Sequence, residues 1–502
     1  MRGIPSLISD IRKKVFTEVA RMAYEGDDYT KAEDLPYVIV PGDQPLHRES
    51  IFLERAIAGE RVRLAMGLSI RSVQTRTLMT EGMDHAAIAE QYYEAPLVNI
   101  IPYACHACPT NQYRVTESCQ NCLAASCQKV CPRDAISFTN GKSHIDVNKC
   151  IRCGKCAQAC SYNAIIHLER PCQAACGMDA IGSDENGRAI INQSKCVSCG
   201  QCLVSCPFGA IVDKGQIYQV VRSIVQGDKV IPILAPAFAR QFGKDVTTGK
   251  LSTALKELGF APMVEVAVGA DICAVEEAKD FLEKVPTEQK FMATSCCPAW
   301  HAMVHKLFPA QAKNISMTLT PMVYTARMVK KEQPDAKIVF VGPCAAKKLE
   351  AIRENIRSDV DFVLTFEELQ GMFEAKNIDF DALEEDPEAS AKGTAAGRGF
   401  AVAGGVAQAV VDIIHEQYPD MEIKVANAQG LKDCKKLMTM AKAGKYDGYL
   451  LEGMACPGGC VAGAGTILSV EQGTKAVALS QKLSAKKNPL ESEFAELAPE
   501  LD

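Results

Sequence analysis

The sequence predicts an α/β domain in its second half, an α+β region dense in cysteine ahead of it, and a short helical stretch at the start. Three observations predict this. Sixteen of the 23 cysteines fall between Cys105 and Cys206. From about residue 227 short β-branched runs alternate with amphipathic stretches, the pattern of sheets flanked by helices. Residues 1–100 carry no cysteine and space their apolar residues as helices do.

Composition narrows the function classes. A chain of 502 residues has room for two or three domains, and 47% hydrophobic content supplies a large core. A net charge of −6 lacks the basic footprint of a nucleic-acid binder, so no nucleic acid is expected. No run of 18 apolar residues occurs, and the start, Met1-Arg-Gly-Ile-Pro5, leads into charged residues rather than an apolar signal core. The expectation is a cytoplasmic protein with no membrane partner. Disulfide frameworks belong to short secreted chains, so metal clusters are the better explanation of the cysteines.

Taken in order, residues 6–24, 46–64 and 84–93 read as helices, serving either as a docking surface or as packing against the next domain. Residues 101–168 and 169–226 read as two ferredoxin-like units. The clearest run is Cys150-x2-Cys153-x2-Cys156-x3-Cys160, repeated as Cys196-x2-Cys199-x2-Cys202-x3-Cys206-Pro207. A tight loop presents three sulfurs to one cubic cluster, and the fourth cysteine reaches the other cube. Cys119-x2-Cys122-x4-Cys127-x3-Cys131 is a widened version. The crossed rule assigns one [4Fe–4S] cluster to Cys119, Cys122, Cys127 and Cys160, and its partner to Cys131, Cys150, Cys153 and Cys156.

The second pair follows from an echo and a remainder. Cys176-Gly-Met-Asp-Ala-Ile echoes Cys131-Pro-Arg-Asp-Ala-Ile, so Cys176 completes the set Cys196, Cys199 and Cys202. Cys172 and Cys206 then join Cys105 and Cys108 in a fourth cube; a zinc site at Cys105/Cys108, or free thiols, is the alternative. From residue 227, strands are expected at 230–234, 263–268, 337–341, 422–425 and 448–451, with helices at 251–258, 272–285, 408–417 and 431–443. Gly397–Gly405 lacks the spacing of a dinucleotide loop. Residues 473–502 form a polar tail.

Three stretches of this α/β region, 227–472, carry the chemistry. Thr294-Ser-Cys-Cys-Pro-Ala-Trp300 sets two cysteines side by side, where a disulfide is strained and one metal ion is poorly served. The two sulfurs are better given different tasks, cluster ligand and proton carrier. Gly342-Pro-Cys-Ala-Ala-Lys-Lys-Leu-Glu350 and Glu452-Gly-Met-Ala-Cys-Pro-Gly-Gly-Cys460 supply the rest. Cys297, Cys344, Cys456 and Cys460 together suffice for one cubic cluster.

These stretches, in their order and separation, closely resemble the three signature motifs of the iron-only ([FeFe]) hydrogenases. The resemblance implies a two-lobed α/β domain around an H-cluster: a [4Fe–4S] cube joined through one cysteine sulfur to a two-iron unit with CO, cyanide and a bridging azadithiolate. Cys297, Cys344, Cys456 and Cys460 match the cube ligands, Cys460 the bridging one. Lys347 matches the lysine that donates to a cyanide, the alternative being a solvated lysine such as Lys348 is expected to be. Ala235, Pro236 and Ala237 match the loop under the other cyanide, and Phe400 and Met454 match residues packed on the two-iron unit. Cys296 matches the proton-transfer thiol, with Glu276 and Ser316 beyond it. Lys279 then stands where a second relay glutamate is expected, leaving Glu277, Glu283 or water to continue the route. The tail resembles a segment that some members carry as a separate small subunit.

Ala299, Gly342 and Thr320-Pro-Met322 depart from the usual motif residues, as in the divergent branch called group B. Cys273 and Cys434 read as buried apolar residues. The resemblance implies the reaction 2H⁺ + 2e⁻ ⇌ H₂, about four accessory [4Fe–4S] clusters, a ferredoxin or other small redox carrier, and maturation proteins that deliver the two-iron unit. A hydrogen sensor and an iron–sulfur assembly scaffold are the competing readings. Retention of Cys296 argues against the first, and Lys347 with the accessory cysteines argues against the second.

Overall fold

The computed structural model describes residues 3–86, 95–353, 356, 359–389 and 392–501. Its elements follow the apolar pattern. Helix α1 (Leu7–Glu25) starts at a capping box in which Ser6 and Ser9 satisfy each other's backbone amides, and it buries Val15, Phe16, Val19 and Ala23 along one face. Helix α2 (Ile51–Ala65) is capped by Ser50. Of the helix expected at 84–93, Met83–Ala86 is helical and 87–94 lie outside the described residues.

The α/β half is built on two parallel sheets. Strands β1 (Val230–Leu234), β2 (Val264–Glu265), β4 (Lys337–Gly342) and β5 (Phe362–Thr365) form one, in the order β2-β1-β4-β5. Strands β3 (Met292–Ala293), β6 (Lys424–Gln429) and β7 (Tyr449–Met454) form the other, in the order β3-β7-β6. Between them run α3 (Ala267–Lys284), α4 (Pro298–Leu307), α5 (Ala345–Ala351) and α6 (Phe366–Ala375). Parallel strands covered on both faces read as continuous apolar runs, and β1 is buried at every position.

The expected strand 263–268 is shorter, because α3 already begins at Ala267. Gly269 lets α3 approach the helix Pro321–Glu332 so closely that a Cβ there would overlap Pro321 O and Thr325 Oγ1. The expected helix 272–285 is accordingly longer, and the polar tail is not separate: Val470–Leu483 is one helix across residue 472.

The N-terminal region packs less on the next units in sequence than on the distant α/β domain. Helix α1 lies across α6 and the helix Ile217–Gln226. Gly371 permits the crossing, since a Cβ there would sit 2.5 Å from Phe16 Cβ. Arg12 of α1 anchors it to Glu367 at 2.6 Å.

The cysteine-rich region is a fourfold repeat of one turn. Cys131, Cys160, Cys176 and Cys206 are each followed three residues later by a left-handed residue, Asp134, Asn163, Asp179 or Gly209 (φ 47 to 58°), then by Ala-Ile. Asn, Asp and Gly tolerate that conformation best. The amides of Ala135, Ala164 and Ala180 donate to Sγ of Cys131, Cys160 and Cys176 at 3.3 Å. Each Ile opens a short strand, and Ile211 pairs with Ile100, ahead of the expected boundary at 101. Residues 98–100 thus pair with 211–213 of the second cysteine-rich unit.

Candidate active site

The two sheets bring the C-terminal ends of their strands to one place, where open α/β proteins bind ligands. Ala235, Pro236 and Ala237 follow β1, Cys296 and Cys297 follow β3, Cys344 follows β4, and Met454, Cys456 and Cys460 come from the end of β7 and the loop after it. All of them, with Lys347 and Phe400, line one cavity. Cys297 and Cys344 sit at the N-caps of α4 and α5, whose free amides and dipoles favour negative charge. Burial pushes the Cys344 thiol up to about 12, and the nearby Cys456 and Cys297 add to it; Cys460 is raised by burial, Cys344 and Cys297. Four half-buried cysteines held this close would repel one another as thiolates, so to ionise together they need a cationic core between them. This donor set fits a thiolate-bound cluster, and the apolar remainder of the cavity leaves space for a group held by packing. Among the described residues no three Cys, His, Asp or Glu side chains converge on a single-ion site.

Neighbouring contacts hold this frame. Trp300 donates to Thr294 O at 3.1 Å, and its indole lies so close to Gly453 that no side chain fits there. Buried Glu452 accepts from Gly404 N at 2.7 Å and Ala407 N at 2.8 Å, fixing β7 against the glycine-rich loop. Gly342 matches a bulky ring: a Cβ at this position would come within 2.6 Å of Phe340, which itself lines the cavity.

Lys347 is buried, not solvated. Its Nζ is 2.6 Å from Glu350 Oε2 and donates to Thr320 Oγ1 at 3.2 Å, while Thr320 donates to Glu350 Oε1 at 2.6 Å. Burial lowers the pKa of its ammonium, but Glu350 more than compensates and keeps it charged. Lys348 overturns the expectation of a surface lysine. It is fully buried and bridges Asp213 at 2.8 Å and Glu368 at 3.0 Å, tying the cysteine-rich region to α6. Its position in the short helix α5, one step on from Lys347, turns it to the opposite side.

The same phase argument separates two glutamates. Glu276 points away and pairs with Lys279 at 2.6 Å. Glu277 shares the buried stripe Cys273–Glu277–Phe281 of α3. Its Oε1 accepts from Ser295 N at 2.9 Å, next to Cys296, with Ser295 Oγ 3.2 Å away, and among the described residues its Oε2 has no hydrogen-bond partner. Desolvation raises Glu277 to about 7. Burial, then the Glu277 charge, raises the Cys296 thiol well above its ordinary value. Ser316 is buried and donates to Thr318 Oγ1 at 2.8 Å, while Thr318 O accepts from Ser295 Oγ at 3.0 Å. The structure thus joins Glu277 to Ser295, the residue before Cys296, and leaves Glu276 paired with Lys279. A carboxylate inside the apolar spacing of α3 was the available sequence signal for Glu277.

The sixteen other cysteines gather in groups. Cys105, Cys108, Cys172 and Cys206 line one small cavity, and Cys131, Cys150, Cys153 and Cys156 line another. Cys202 and Cys199 are raised by burial and then by one another's group, Cys196 and Cys176 among them. Cys119 Sγ accepts from Ser143 N at 3.5 Å, and Cys127 Sγ lies 3.7 Å from Ser143 Oγ. Cys160 packs in the same small core as Cys127. The Cys199 loop abuts the active-site cavity: Cys199 lines it, and Gln201 Nε2 donates to Cys456 Sγ at 3.1 Å. Cys273 and Cys434 are fully buried in the apolar cores.

Residues 228–464 match the family described as "Iron only hydrogenase large subunit, C-terminal domain", and residues 143–166 and 189–212 match the 4Fe-4S binding domain. Iron hydrogenase 1 of Clostridium pasteurianum is 31% identical over 387 residues, 66% of this chain and 67% of that protein. The chain belongs to the iron-only hydrogenase large-subunit family. The periplasmic [Fe] hydrogenase large subunit of Nitratidesulfovibrio vulgaris is 31% identical over 275 residues, 46% of this chain and 65% of that one. The chain therefore spans about two thirds of each of these relatives. A probable cytosolic Fe-S cluster assembly factor of Drosophila mojavensis is 26% identical over 305 residues, 49% of this chain and 62% of that one. A variant of [FeFe]-hydrogenase HydA1 from Chlamydomonas reinhardtii superposes with a TM-score of 0.48 at 22% identity, covering 55% of this chain and 92% of that one.

Within this iron-only hydrogenase fold the α/β domain follows 4Fe-4S binding domains and an N-terminal helical region. No helix among the described residues is long and apolar enough to cross a membrane.

Proposed function

We propose that the chain is an [FeFe]-hydrogenase that interconverts protons, electrons and H₂ at an H-cluster held by Cys297, Cys344, Cys456 and Cys460. One observation carries the reading: a single cavity gathers these four thiols with Cys296 and Lys347 at the ends of parallel strands. When bound, the H-cluster supplies the metal chemistry that makes and breaks the H–H bond. The protein's residues do the rest. Cys460 would hold the group together with the other three cysteines, and Ala235–Ala237, Phe400 and Met454 wall the apolar end and exclude water. Lys347, kept protonated and oriented by Glu350 and Thr320, donates to an anionic ligand of the group.

Protons move between Cys296 and Glu277, whose carboxyl is anchored at Ser295 and has one oxygen left over. A carboxylic acid titrating near 7 is suited to taking and giving a proton at neutral pH. One turn along α3, Asp280 raises Glu277 by its charge and reaches the surface beside Lys284 at 2.9 Å. Asp280, not Lys279, is thus our candidate for the outer carboxylate.

The four cysteine groups would each hold a [4Fe–4S] cluster, and these clusters would supply the path for electrons. The Cys176/Cys196/Cys199/Cys202 cluster is innermost, by its contact with Cys456. The Cys131/Cys150/Cys153/Cys156 cluster is the outer port. Its loop leaves Cys153 and Ile151 exposed within a run carrying Lys149, Arg152 and Lys155, and such a surface suits an acidic carrier of the ferredoxin type. Maturation proteins supply the two-iron unit. The Gly342–Phe340 packing and Ala299 in the cavity wall support placing the chain in the divergent group B branch. The assembly-factor likeness offers a scaffold as the second reading, but a scaffold has no use for Glu277 beside Cys296.

Deuterium exchange tests the proposal without an electron partner. Matured, anaerobic protein under D₂ in H₂O is expected to release HD and H₂, measured by mass spectrometry; no exchange by protein carrying a complete two-iron unit would refute it.

A further inference from the structure

Arg61 of α2 is a buried cation in need of a counter-charge. It is 7% exposed, and among the described residues it makes one hydrogen bond, from Nη2 to Gly209 O at 3.0 Å, while its Nε has no partner. Among the described residues no carboxylate pairs with it, while Arg12 and Arg48 are like-charged neighbours. Burial, with those two, lowers Arg61 to about 10, so it is charged at neutral pH. An uncompensated buried charge is costly, and the opposite charge that Arg61 feels is Cys206. Gly209, which Arg61 grips, belongs to the left-handed turn that follows Cys206.

Two more guanidiniums surround the same cysteine group without a carboxylate. Arg170, 2% exposed, donates to Cys108 O at 3.0 and 3.2 Å and to Gly182 O and Gly187 O at 2.9 and 2.6 Å. Arg48 donates to Phe208 O at 3.2 Å and lies 2.6 Å from His106 Nε2. The cavity lined by Cys105, Cys108, Cys172 and Cys206 therefore lies among three arginines, two of them from the N-terminal region.

We propose that Arg61, with Arg48 and Arg170, is the internal counter-ion of an anionic [4Fe–4S] cluster at Cys105, Cys108, Cys172 and Cys206, and holds this cluster's reduction potential above those of the other accessory clusters. This rests on reading that cysteine group as a cluster site. A cube with four thiolates carries −2 when oxidised and −3 after accepting one electron, so a fixed buried cation stabilises the reduced form more. The cluster then acts as the chain's electron reservoir, and the N-terminal region becomes part of the redox machinery as well as packing.

The experiment is a potentiometric titration of the full-length protein with dithionite, followed by electron paramagnetic resonance, in wild type, Arg61→Met and Arg61→Lys. In wild type one accessory cluster is reduced first. In Arg61→Met that same signal shifts so that its reduced-to-oxidised ratio at fixed potential falls at least tenfold, 59 mV for one electron; Arg61→Lys keeps most of the wild-type value. Unshifted potentials in Arg61→Met with full iron content would overturn the proposal. Should Arg61→Met not fold, Arg48→Met is expected to shift the same signal in the same direction, and no shift there overturns it equally. Cys206→Ala separates the underlying reading: if it costs no iron, the group is not a cluster site and the proposal falls with it.

Discussion

Glu277→Gln is the sharpest perturbation of the proposed proton route. An ordinary glutamic acid near 4.5 is protonated in roughly 0.3% of molecules at pH 7, whereas Glu277, raised to about 7 by desolvation, is protonated in about half. Burial thus enriches the proton-donating form more than a hundredfold, on the order of the 10²–10⁴ that a positioned acid–base group contributes. Glutamine keeps the oxygen that accepts from Ser295 N, so the local frame survives while the titrating proton is lost. We expect H₂ evolution with reduced viologen to fall 10²- to 10⁴-fold and the descending limb near pH 7 to vanish, with the infrared bands of the active site unchanged. The stability sign runs the same way. The folded state holds this proton more tightly than the unfolded chain, so wild-type stability falls as pH rises from about 4.5 through about 7, by up to about 3 kcal/mol, and the glutamine variant lacks that fall. Glu276→Gln, which removes only the ion pair to Lys279, is expected to stay within about twofold of wild type. If Glu276→Gln abolishes turnover and Glu277→Gln does not, the helical phase argued for α3 is wrong.

Further outcomes follow from other contacts. Lys348→Met leaves Asp213 and Glu368 buried without their shared cation and is expected to cost about 3–5 kcal/mol, visible as a lower midpoint in thermal unfolding; an unchanged midpoint would contradict the buried bridge. Reversing Lys149, Arg152 and Lys155 to glutamate is expected to slow electron exchange with an acidic ferredoxin and invert its salt dependence, the rate then rising with added salt. The same variant should leave viologen-linked turnover intact, and an equal loss with both carriers would remove the loop as the docking site.

The sequence was most informative where chemistry demands particular residue types at particular spacings. The cysteine runs were legible as candidate ligands because a cube needs three sulfurs from one loop, and the cysteines expected to form the fourth group line one cavity, Cys105, Cys108, Cys172 and Cys206 together. Strand β1 was legible because a strand buried on both faces is an unbroken apolar run. Choices that depend on helical phase were harder. Glu276 and Glu277 are 100° apart on α3, and only the packing of Cys273 and Phe281 shows which one is inside. Lys347 and Lys348 pose the same ambiguity, and a buried lysine cannot be read without its carboxylates, Asp213 and Glu368, which lie 135 and 20 residues away. The place of α1 against α6 escaped for a related reason: the contact joins Phe16 to Gly371, and nothing local to either residue announces the other.

The central claim is that the cavity among Cys297, Cys344, Cys456 and Cys460 holds an H-cluster. Its most direct measurement is the infrared spectrum of anaerobically purified, matured protein, recorded first under H₂ and then under CO. If the cavity holds that group, sharp bands of metal-bound CO and cyanide are expected, and they move with each gas. Cubic clusters present without any such bands, in protein fully supplied with the two-iron unit, would contradict it.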